Sequence, residues 1–334
     1  MKSKKMTVAV LGTGNMGTAL AVMLSRGGHS VRLWNYEGDQ EPLNQVREAR
    51  ENKKYLPGVS LPENISAEPD LENAVQGATV VFFVVPSNFV EAIIKRVAGF
   101  LPCGVVCVDA TKGMDEKSLG LTSDVIEKLL PKCLSQAVVS LSGPAIATDM
   151  VKGGWTAMNI ASKSERALTV VHEVLAGDTL KLIATNDMVG VEVAGAFKNV
   201  YAIAMGICDG LKYPLNTKSA LLVIALQEIA GLIKKMGGQR ETVYGLAGLG
   251  DLVGTGLCGT SRNRRFGEYL AQGKSKDEAT KAVGQVVEGI NASRILKKLS
   301  VKHKIKMPFA DMVHAIVWKE KNSAGALSDF LRQL

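Results

Sequence analysis

Residues 7–26 decide the fold, and they read Thr-Val-Ala-Val-Leu-Gly-Thr-Gly-Asn-Met-Gly-Thr-Ala-Leu-Ala-Val-Met-Leu-Ser-Arg. The first five residues are apolar or β-branched and predict a strand, and the amphipathic end of the stretch predicts a helix. Between them, Gly12, Gly14 and Gly17 give the spacing G-x-G-x-x-G. In that spacing the first glycine permits a tight turn, the second lets backbone approach a pyrophosphate, and the third lets the helix pack on the strand. Because both flanking elements are present, dinucleotide binding is favoured over a glycine turn without a ligand.

Length and composition indicate a globular protein with two domains. A chain of 334 residues is too long for one hydrophobic core, and we expect domains at 1–186 and 187–334. Hydrophobic residues make up 46% and charged residues 22%, which excludes a disordered chain. The longest candidate membrane segment, 220–233, is interrupted by Gln227 and Glu228, so we expect a core helix and no stable membrane insertion. The start of the chain runs directly into a strand and not into a signal segment, so we expect a cytoplasmic protein.

Charge, cysteine and histidine content exclude several functional classes. The net charge of +8 would attract nucleic acid or small phosphorylated anions. Since no recognition helix or aromatic–basic interleaving is present, we expect a small phosphorylated substrate and no nucleic acid. The five cysteines form no Cys-x-x-Cys pair and lie mostly among apolar neighbours, which predicts buried thiols in a reducing compartment. The four histidines lack metal-ligand spacing, so we expect no metal site.

Further strands of a parallel sheet are predicted after the first βαβ unit. Apolar runs at 78–85, 104–108 and 137–141 are typical of strands buried on both faces. Each is followed by a polar or glycine-containing loop, and the loops at the carboxyl ends of parallel strands converge on one ligand crevice. The second strand, 30–34, ends in Asn-Tyr-Glu. Neither an acid for the ribose of NAD nor an Arg for the phosphate of NADP stands at its tip, so the cofactor preference stays open.

Residues 188–208 are apolar nearly all round, which predicts a buried helix. Its only ionisable or amide side chains are Glu192, Lys198 and Asn199. Glu192 and Asn199 share a helix face and could pair with each other. For Lys198 there are two interpretations: a structural salt bridge with Asp251, or a catalytic group whose pKa is lowered by burial or by another cation such as Lys112.

A cluster of arginines follows a glycine-rich loop at 245–252. Residues 261–267 read Ser-Arg-Asn-Arg-Arg-Phe-Gly. Three arginines in four positions usually form a solvated face. The guanidinium group also binds phosphate through two hydrogen bonds, and neighbouring Ser and Asn side chains can complete an anion site.

These motifs, in this order, resemble those of the NAD(P)-dependent glycerol-3-phosphate dehydrogenase family of bacterial type, over residues 6–318. The resemblance rests on 12–17, 54–57, 85–87, 111–113, 142–144, 190–192 with Lys198-Asn199, 248–252, 261–267 and 287–289. It implies an α/β fold, with a Rossmann-type, mostly parallel sheet domain followed by an all-α C-terminal domain. It also implies reversible reduction of dihydroxyacetone phosphate to sn-glycerol 3-phosphate with NAD or NADP as cofactor, for glycerophospholipid synthesis, in a homodimer.

The resemblance implies roles residue by residue. Lys198 corresponds to the proton donor and acceptor, and Lys112 and Asp251 complete the catalytic set. The implied substrate-binding residues are Lys112, Gly143, Asn199, Asp251, Thr255, Ser261, Arg262 and Asn263. The implied cofactor-binding residues are Gly12, Gly14, Asn15, Met16, Gly17, Tyr36, Lys112, Ala147, Arg262, Val286 and Glu288.

Some positions depart from the family pattern. Ala145 stands where Ser or Thr usually follows Gly-Pro, Asn15-Met16 replaces a Ser-aromatic pair, and 223–225 replaces a Thr-Arg-Gly run. Two alternatives remain: a β-hydroxyacid dehydrogenase or ketopantoate-type reductase, and a non-catalytic dinucleotide-sensing protein. The arginine cluster discriminates against the first alternative, since a carboxylate substrate needs fewer cations than a phosphate does.

Overall fold

The computed structural model describes residues 5–134 and 137–334, and the chain divides into two compact units. The first unit comprises 1–111 and 122–188, and the second comprises 112–121 and 189–334. The division expected from the sequence, at 186/187, lies close to the junction at 188/189. The linear division omits the short segment 112–121, which leaves the first unit and joins the second.

The first unit contains a sheet of eight strands. The strands are β1 Thr7–Leu11, β2 Ser30–Trp34, β3 Ile65–Ala67, β4 Val80–Phe83, β5 Val106–Asp109, β6 Val138–Ser142, β7 Thr156–Ala161 and β8 Leu180–Thr185. Their order is β3-β2-β1-β4-β5-β6-β7-β8, and only the β6–β7 pair is antiparallel. The predicted mostly parallel sheet is therefore confirmed. Strand order reverses between β1 and β4, the position where open sheets of this type bind ligands.

Seven helices of the first unit connect these strands. They are α1 Asn15–Arg26, α2 Glu41–Ala49, α3 Leu71–Val75, α4 Ser87–Val97, α5 Thr122–Leu129, α6 Ala147–Val151 and α7 Glu165–Leu175. The core lies between sheet and helices, and α1 buries Leu20, Val22 and Leu24 there completely. The first helix begins at Asn15, three residues before the amphipathic stretch predicted from the sequence.

The second unit has no helix in segment 112–121, and its described part of 189–334 consists of helices joined by loops. Its helices are α8 Met188–Gly210, α9 Leu215–Lys235, α10 Asp251–Gly256, α11 Arg262–Ala271, α12 Lys276–Val283, α13 Glu288–Lys302, α14 Pro308–Lys319 and α15 Ser323–Arg332. A 3₁₀ turn at Arg240–Tyr244 and a π-helical turn at Leu246–Gly250 lie between α9 and α10. The predicted all-α C-terminal domain is confirmed.

Two helices are long and apolar enough, by length and composition alone, to cross a membrane: Met188–Gly210 and Leu215–Lys235. The candidate segment 220–233 named from the sequence lies within the second helix, and the first helix was not recognised as a candidate. The apolar window of α8 is 100% buried within the protein, and that of α9 is 50% buried. Complete burial identifies α8 as a core helix, as its apolar sequence predicts.

The cysteines do not all follow the expectation of buried thiols. Cys107 and Cys208 are buried, but Cys103 and Cys133 are exposed and Cys258 is half-buried. The expectation is wrong for Cys103 and Cys133, because both lie in loops that precede strands and not in the strands themselves.

Candidate active site

The glycine turn after β1 has the geometry of a pyrophosphate cradle. Gly12 adopts φ +115°, and a Cβ there would lie 2.4 Å from the Val84 carbonyl oxygen. A Cβ on Gly17 would lie 1.8 Å from the Gly12 carbonyl oxygen. Gly14, by contrast, has no atom within 4 Å of a Cβ position, and as the N-cap residue of α1 it has no side chain to occupy the helix end. Two of the glycines are thus required by packing within the protein, and the third leaves open space at a helix N-terminus that suits a phosphate.

Asn35, at the end of β2, fixes this turn. Its Oδ1 accepts a hydrogen bond from the Thr13 backbone N–H at 3.0 Å, and the Thr13 hydroxyl donates to the Trp34 carbonyl at 3.0 Å. Asn52, fully buried, donates to the Thr13 carbonyl at 2.9 Å. Sequence reasoning assigned no role to Asn35 or Asn52, because both side chains act on a loop that lies more than 20 residues away.

The tip of β2 also carries an aromatic pair and an ion pair. Tyr36 is 57% exposed, and its ring stacks on Phe89 with centroids 6.1 Å apart. Glu37 Oε1 accepts a hydrogen bond from Arg96 Nη2 at 2.6 Å, and this bond holds the pKa of Glu37 below its ordinary value. The Arg96 guanidinium lies 6.0 Å from the centroid of the Trp34 ring. The sequence placed neither an acid nor an arginine at this tip, whereas the structure places both there.

Gly143 and Ala147 lie beyond β6. Gly143 has φ +153°, and a Cβ there would lie 2.9 Å from Met158 Cα, so the position requires glycine. Ala147 is buried at the start of α6. Ala145 packs partly buried against the core of the sheet domain, and the hydroxyl expected there from the family pattern is replaced by a methyl group.

Two helices and segment 112–121 of the second unit bring Lys198, Asp251, Thr255 and Lys112 together. Lys198 Nζ forms an ion pair with Asp251 Oδ1 and donates to Thr255 Oγ1 at 2.6 Å. Lys112 Nζ lies 2.7 Å from Asp251 Oδ2. The Asp251 carboxylate therefore binds one ammonium group on each oxygen. The two sequence interpretations of Lys198 are not exclusive, because the salt bridge with Asp251 exists and it holds the ammonium group in place.

The glycine-rich loop explains how Asp251 reaches this position. The π-helical turn before α10 includes Gly248, where a Cβ would lie 1.9 Å from the Val243 carbonyl oxygen. Only glycine permits this close approach, and Asp251 follows as the first residue of α10. Thr255, one turn later on the same helix, donates to Asp251 Oδ1 at 3.3 Å.

Burial and charge set the protonation of this cluster. Burial lowers the pKa of Lys198 to about 8; attraction by Asp251 opposes this shift and repulsion by Lys112 adds to it. Burial alone would raise the pKa of Asp251, but the charges of Lys112 and Lys198 outweigh burial and hold the pKa below its ordinary value. Near neutral pH the cluster thus contains a carboxylate, Asp251, and a lysine, Lys198, and the lysine can donate or accept a proton.

The Lys198 ammonium group has a donor to spare. An ammonium group carries three N–H bonds, and Asp251 and Thr255 accept two of them. Lys198 is only 5% exposed, so its remaining N–H is largely shielded from solvent. The arrangement is suited to donate a proton to one oxygen atom of a bound molecule.

A chain of amide hydrogen bonds follows the next residue of α8. Asn199 Nδ2 donates to Glu288 Oε2 at 3.0 Å, and Asn263 Nδ2 donates to Asn199 Oδ1 at 3.0 Å. Asn263 Oδ1 in turn accepts from the Gly289 backbone N–H at 2.9 Å. Asn199 thus binds side chains of α11 and α13, and not Glu192 on its own helix, with which the sequence suggested that it could pair.

Glycines allow α8 and α11 to approach closely enough for this contact. A Cβ on Gly206 would lie 1.9 Å from the Arg264 carbonyl oxygen, and one on Gly267 would lie 2.0 Å from the Ile203 carbonyl oxygen. Backbone-to-backbone packing at two points fixes the position of α11 against α8, and with it the position of Asn263 beside Asn199.

The arginine cluster of α11 divides into structural and accessible members. Arg264 pairs with Asp209 at 2.6 Å and with Glu268 at 2.8 Å, and Arg265 lies 3.5 Å from the Tyr269 hydroxyl. Arg262 is the first residue of the helix and half-buried, and within 5–134 and 137–334 no acceptor binds its guanidinium group. Ser261 caps the helix by accepting from the Arg264 N–H at 3.3 Å. A helix N-terminus with one uncommitted guanidinium group is suited to bind an anion.

Family models match both halves of the chain. The model described as NAD-dependent glycerol-3-phosphate dehydrogenase N-terminus matches residues 7–168, and the model of the C-terminus of the same enzyme matches residues 187–328. The chain belongs to the NAD-dependent glycerol-3-phosphate dehydrogenase family.

Relatives and solved structures of this dehydrogenase family cover nearly the whole chain. Glycerol-3-phosphate dehydrogenase [NAD(P)+] of Fusobacterium nucleatum is 35% identical over 97% of this chain and 96% of its own length. The same-named protein of Koribacter versatilis is 38% identical over 97% of this chain and 96% of its own length. The crystal structure of glycerol-3-phosphate dehydrogenase from Coxiella burnetii is 37% identical, with a TM-score of 0.93, and covers 98% of this chain and 99% of that chain. The resemblance inferred from the motifs is confirmed over the two alternatives.

Segment 112–121 is a part of this dehydrogenase that sequence reasoning missed. It carries Lys112 and is bound to α13 by Glu116, which pairs with Arg294 at 2.6 Å and with Lys298 at 2.8 Å. Lys302 also donates to the Ser118 carbonyl at 3.4 Å. No motif marks Glu116, because its partners lie about 180 residues later in the chain.

The predicted site residues thus fall into separate groups. Gly12, Gly14, Asn15, Met16 and Gly17 form the glycine turn in the first unit. Lys112, Lys198, Asn199, Asp251, Thr255, Asn263 and Glu288 form the ionic cluster and the amide chain in the second unit. Val286 is 57% exposed in the loop before α13. No cluster of His, Cys, Asp or Glu suited to a metal ion occurs among the described residues.

Proposed function

We propose that this chain is an oxidoreductase that interconverts dihydroxyacetone phosphate and sn-glycerol 3-phosphate with NAD(P)H, and that its product enters glycerophospholipid synthesis. The observation that carries the proposal is the buried Lys198 ammonium group, bound to Asp251 and Thr255 with one N–H remaining. Family membership supplies the substrate class, and this cluster supplies the proton that ketone reduction requires.

Residues 1–186 form the dinucleotide-binding domain in this proposal, and residues 187–334 form the substrate and catalytic domain. The bound nicotinamide dinucleotide supplies or accepts a hydride. The backbone N–H groups of Asn15, Met16 and Gly17 lie at the start of α1, where they can donate to the pyrophosphate that Gly14 leaves room for. Tyr36 contacts the adenosine half. Further contacts to the dinucleotide come from Lys112, Ala147, Arg262, Val286 and Glu288.

Lys198 moves the proton in this mechanism. As the substrate carbonyl is reduced, negative charge develops on its oxygen, and the Lys198 ammonium group donates a proton to that atom. Lys112 stabilises the developing charge, and Asp251 orients both ammonium groups through its two carboxylate oxygens. In the reverse direction, neutral Lys198 removes the proton from the substrate hydroxyl. A pKa of about 8 lets one residue perform both steps.

The N-terminus of α11 binds the substrate phosphate. Ser261 and Arg262 lie at that helix end, and the Arg262 guanidinium group provides two parallel N–H donors for a phosphate. The side-chain oxygen of Asn263 accepts from the Gly289 N–H, and one of its amide hydrogens binds Asn199. The second amide hydrogen therefore binds the phosphate. Asn199, Thr255 and the backbone at Gly143 complete the substrate contacts. Fixing the phosphate orients the reacting carbonyl and converts binding energy into rate.

The test is a spectrophotometric assay of the purified full chain with dihydroxyacetone phosphate and either NADH or NADPH. We expect nicotinamide absorbance to fall with dihydroxyacetone phosphate, and to change at least about 100-fold more slowly with unphosphorylated dihydroxyacetone, because Arg262 then has no ligand. Ketopantoate serves as the control for a carboxylate-specific reductase. Equal or greater activity on ketopantoate would contradict the proposal, and no activity on either ketone would favour a non-catalytic dinucleotide-binding protein.

We further propose that the enzyme is a cytoplasmic homodimer. One side of α9 carries exposed apolar residues, including Leu215 at 63% and Val223 at 55% exposure. Val223 is also one of the positions that depart from the family pattern. Sedimentation of the wild-type chain and of a Val223→Asp variant would test whether this side is the interface, since only an interface position would shift the mass toward that of a monomer.

A further inference from the structure

Two cysteines of the first unit lie in contact with each other. Cys103 Sγ and Cys133 Sγ are 3.7 Å apart, and both residues are exposed. Thirty residues separate them in the chain. They are the only pair of sulfur atoms for which such a contact is found among the described cysteines.

The pair joins the loops that precede two adjacent strands. Cys103 lies between α4 and β5, and Cys133 lies between α5 and β6. β5 and β6 are hydrogen-bonded in parallel, with Cys107 opposite Val138. The two cysteines therefore lie at the amino ends of these strands, at the sheet edge opposite the carboxyl ends that carry the glycine turn and Gly143.

We propose that Cys103 and Cys133 form a reversible intrachain disulfide when the enzyme meets a small-molecule disulfide oxidant. One protein thiolate attacks a sulfur of the oxidant, forms a mixed disulfide and releases one small thiol. The second protein thiolate then attacks the protein sulfur of that mixed disulfide and releases the second small thiol. The two protein thiols together lose two electrons and two protons, and the oxidant gains them.

The geometry favours this pair over the other cysteines. A disulfide bond is about 2.05 Å long, and exposed side chains in loops can close the remaining distance by rotation about their Cα–Cβ bonds. Gly104, next to Cys103, adopts φ +86°, and Arg166 holds its carbonyl oxygen at 3.0 Å, which fixes this loop beside β5. Burial raises the pKa of Cys107 and that of Cys208 to about 12, so both remain unreactive thiols near neutral pH.

Within the pair, the hydrogen bond to Cys103 raises the pKa of Cys133. Both sulfur atoms are exposed and either can be the donor in their contact, so either cysteine can react first with the oxidant and the other then resolves the mixed disulfide. Single substitutions should therefore trap different species.

The disulfide should stabilise the enzyme and leave its activity unchanged. Closing a loop of thirty residues restricts the unfolded chain, and the expected rise in Tm is about 5–10 °C. Because the pair lies at the edge of the sheet opposite the glycine turn, kcat/KM for dihydroxyacetone phosphate should stay within about twofold of that of the reduced enzyme.

The experiment treats the folded enzyme with oxidised glutathione and measures intact mass, free thiols and Tm. We expect the mass to fall by two hydrogen atoms, two of the five thiols to disappear, and proteolysis to yield one peptide pair joined through Cys103 and Cys133. A Cys133→Ser variant should instead retain one glutathione adduct on Cys103. A Cys258→Ser variant is the matched control and should form the disulfide as the wild-type chain does.

Three results would overturn the proposal. The first is a wild-type chain that carries glutathione adducts on both cysteines without a crosslink. The second is a crosslink that involves Cys258. The third is a quantitative Cys103–Cys133 crosslink that leaves Tm unchanged or lowers it, since the loops would then be strained and not joined in their native positions. Dithiothreitol should reverse both the mass change and the Tm shift.

Discussion

The two units of this dehydrogenase offer ligands very different surfaces. In the first, the glycine turn presents backbone N–H groups; its geometry depends on the absence of side chains at Gly12 and Gly17, and Gly14 leaves open space beside it. In the second, the ionic cluster presents side chains, and it depends on charges held inside a helical core at Lys198 and Asp251. The glycine turn depends on missing side chains, and the ionic cluster depends on buried charged side chains.

The difference determines what each surface can do. Backbone N–H groups have a fixed partial charge, so they bind a phosphate but cannot exchange protons with a substrate. A buried ammonium group costs several kcal/mol to desolvate unless it is paired. Pairing with Asp251 offsets that cost only in part, and the remainder appears as the lowered pKa of Lys198. In the proposed mechanism, the glycine turn of the first unit therefore binds the dinucleotide pyrophosphate, and the ionic cluster of the second unit transfers the proton.

The largest effect should come from Lys198→Met, which keeps the volume of the side chain and removes the proton donor. We expect kcat for dihydroxyacetone phosphate reduction to fall about 10³-fold, because general acid catalysis of this kind contributes 10²–10⁴-fold. The dissociation constant of NADH should change by less than about twofold. Lys198→Arg is the control, since arginine keeps the charge but does not release its proton. Near-normal turnover of Lys198→Met would refute the assignment.

The pH dependence should follow the protonation of the same residue. Reduction requires the ammonium form, so its rate should be constant below about pH 8 and fall as pH rises, approaching about tenfold per pH unit. Oxidation of glycerol 3-phosphate requires the neutral amine and should fall as pH drops below the same value. Rate profiles in both directions give the measurement.

Two substitutions should move this pH dependence in opposite directions. Lys112→Met removes a repulsive charge and should raise the pKa seen in the profile, whereas Asp251→Asn removes an attractive charge and should lower it. Shifts in the same direction would mean that the residue titrating in the profile is not Lys198.

The sequence predicted the first unit well for a physical reason. The strand, turn and helix around Gly12–Gly17 are specified by residues within 20 positions of one another, and hydrophobic periodicity marks each element. Lys198 could be singled out in the same local way, because a lysine on an apolar helix needs a partner. A salt bridge with Asp251 could be named only as one of two interpretations of Lys198, the other being a catalytic role.

Long-range side-chain contacts could not be predicted from the sequence. Asn35 fixes the glycine turn from the next strand, and Glu116 binds residues of α13 far along the chain. Asn199 could be given a possible partner on its own helix, Glu192, but its partners in the structure belong to other elements. Polar side chains carry no periodic signal for their partners, so these contacts appear only once helix packing is known.

A second comparison lies within the glycine turn. Gly17→Ala places a methyl group 1.8 Å from the Gly12 carbonyl oxygen, so the turn must shift. We expect NADH to bind about 100-fold more weakly and Tm to fall by several degrees. Gly14→Ala meets no protein atom within 4 Å, so Tm should stay nearly constant while NADH binds about tenfold more weakly. Unchanged NADH binding by Gly14→Ala would mean that the open space does not hold the pyrophosphate.

A smaller effect is expected from Glu116→Gln, which acts on the ionic cluster through the segment that carries Lys112. Its two ion pairs are half-exposed, and such pairs contribute at most about 1 kcal/mol each. We expect KM for dihydroxyacetone phosphate to rise about fivefold, with KM for NADH unchanged. Asp311→Asn is the matched control, because it breaks a similarly exposed ion pair of α13 at Lys297 without touching segment 112–121. An equal rise in KM in both variants would indicate a general effect on α13.

An equally small effect concerns the choice of cofactor, at the tip of β2. Glu37 and Arg96 are each about half exposed, so their ion pair is easily broken by a ligand. An acid at this position favours the ribose hydroxyls of NADH, and an arginine favours the phosphate of NADPH. The ion pair keeps either group from dominating.

Removing either Glu37 or Arg96 should therefore change the preference between NADH and NADPH. Glu37→Ala releases Arg96 and should raise the ratio of kcat/KM for NADPH to that for NADH about fivefold, and Arg96→Ala should lower the ratio by a similar factor. Lys95→Ala is the control, because it breaks the ion pair with Glu91 on the same helix and leaves the Glu37–Arg96 pair in place. If Glu37→Ala and Arg96→Ala changed the ratio in the same direction, the pair would serve only to anchor α4. Specificity for the cofactor would then be set by the backbone of the glycine turn alone.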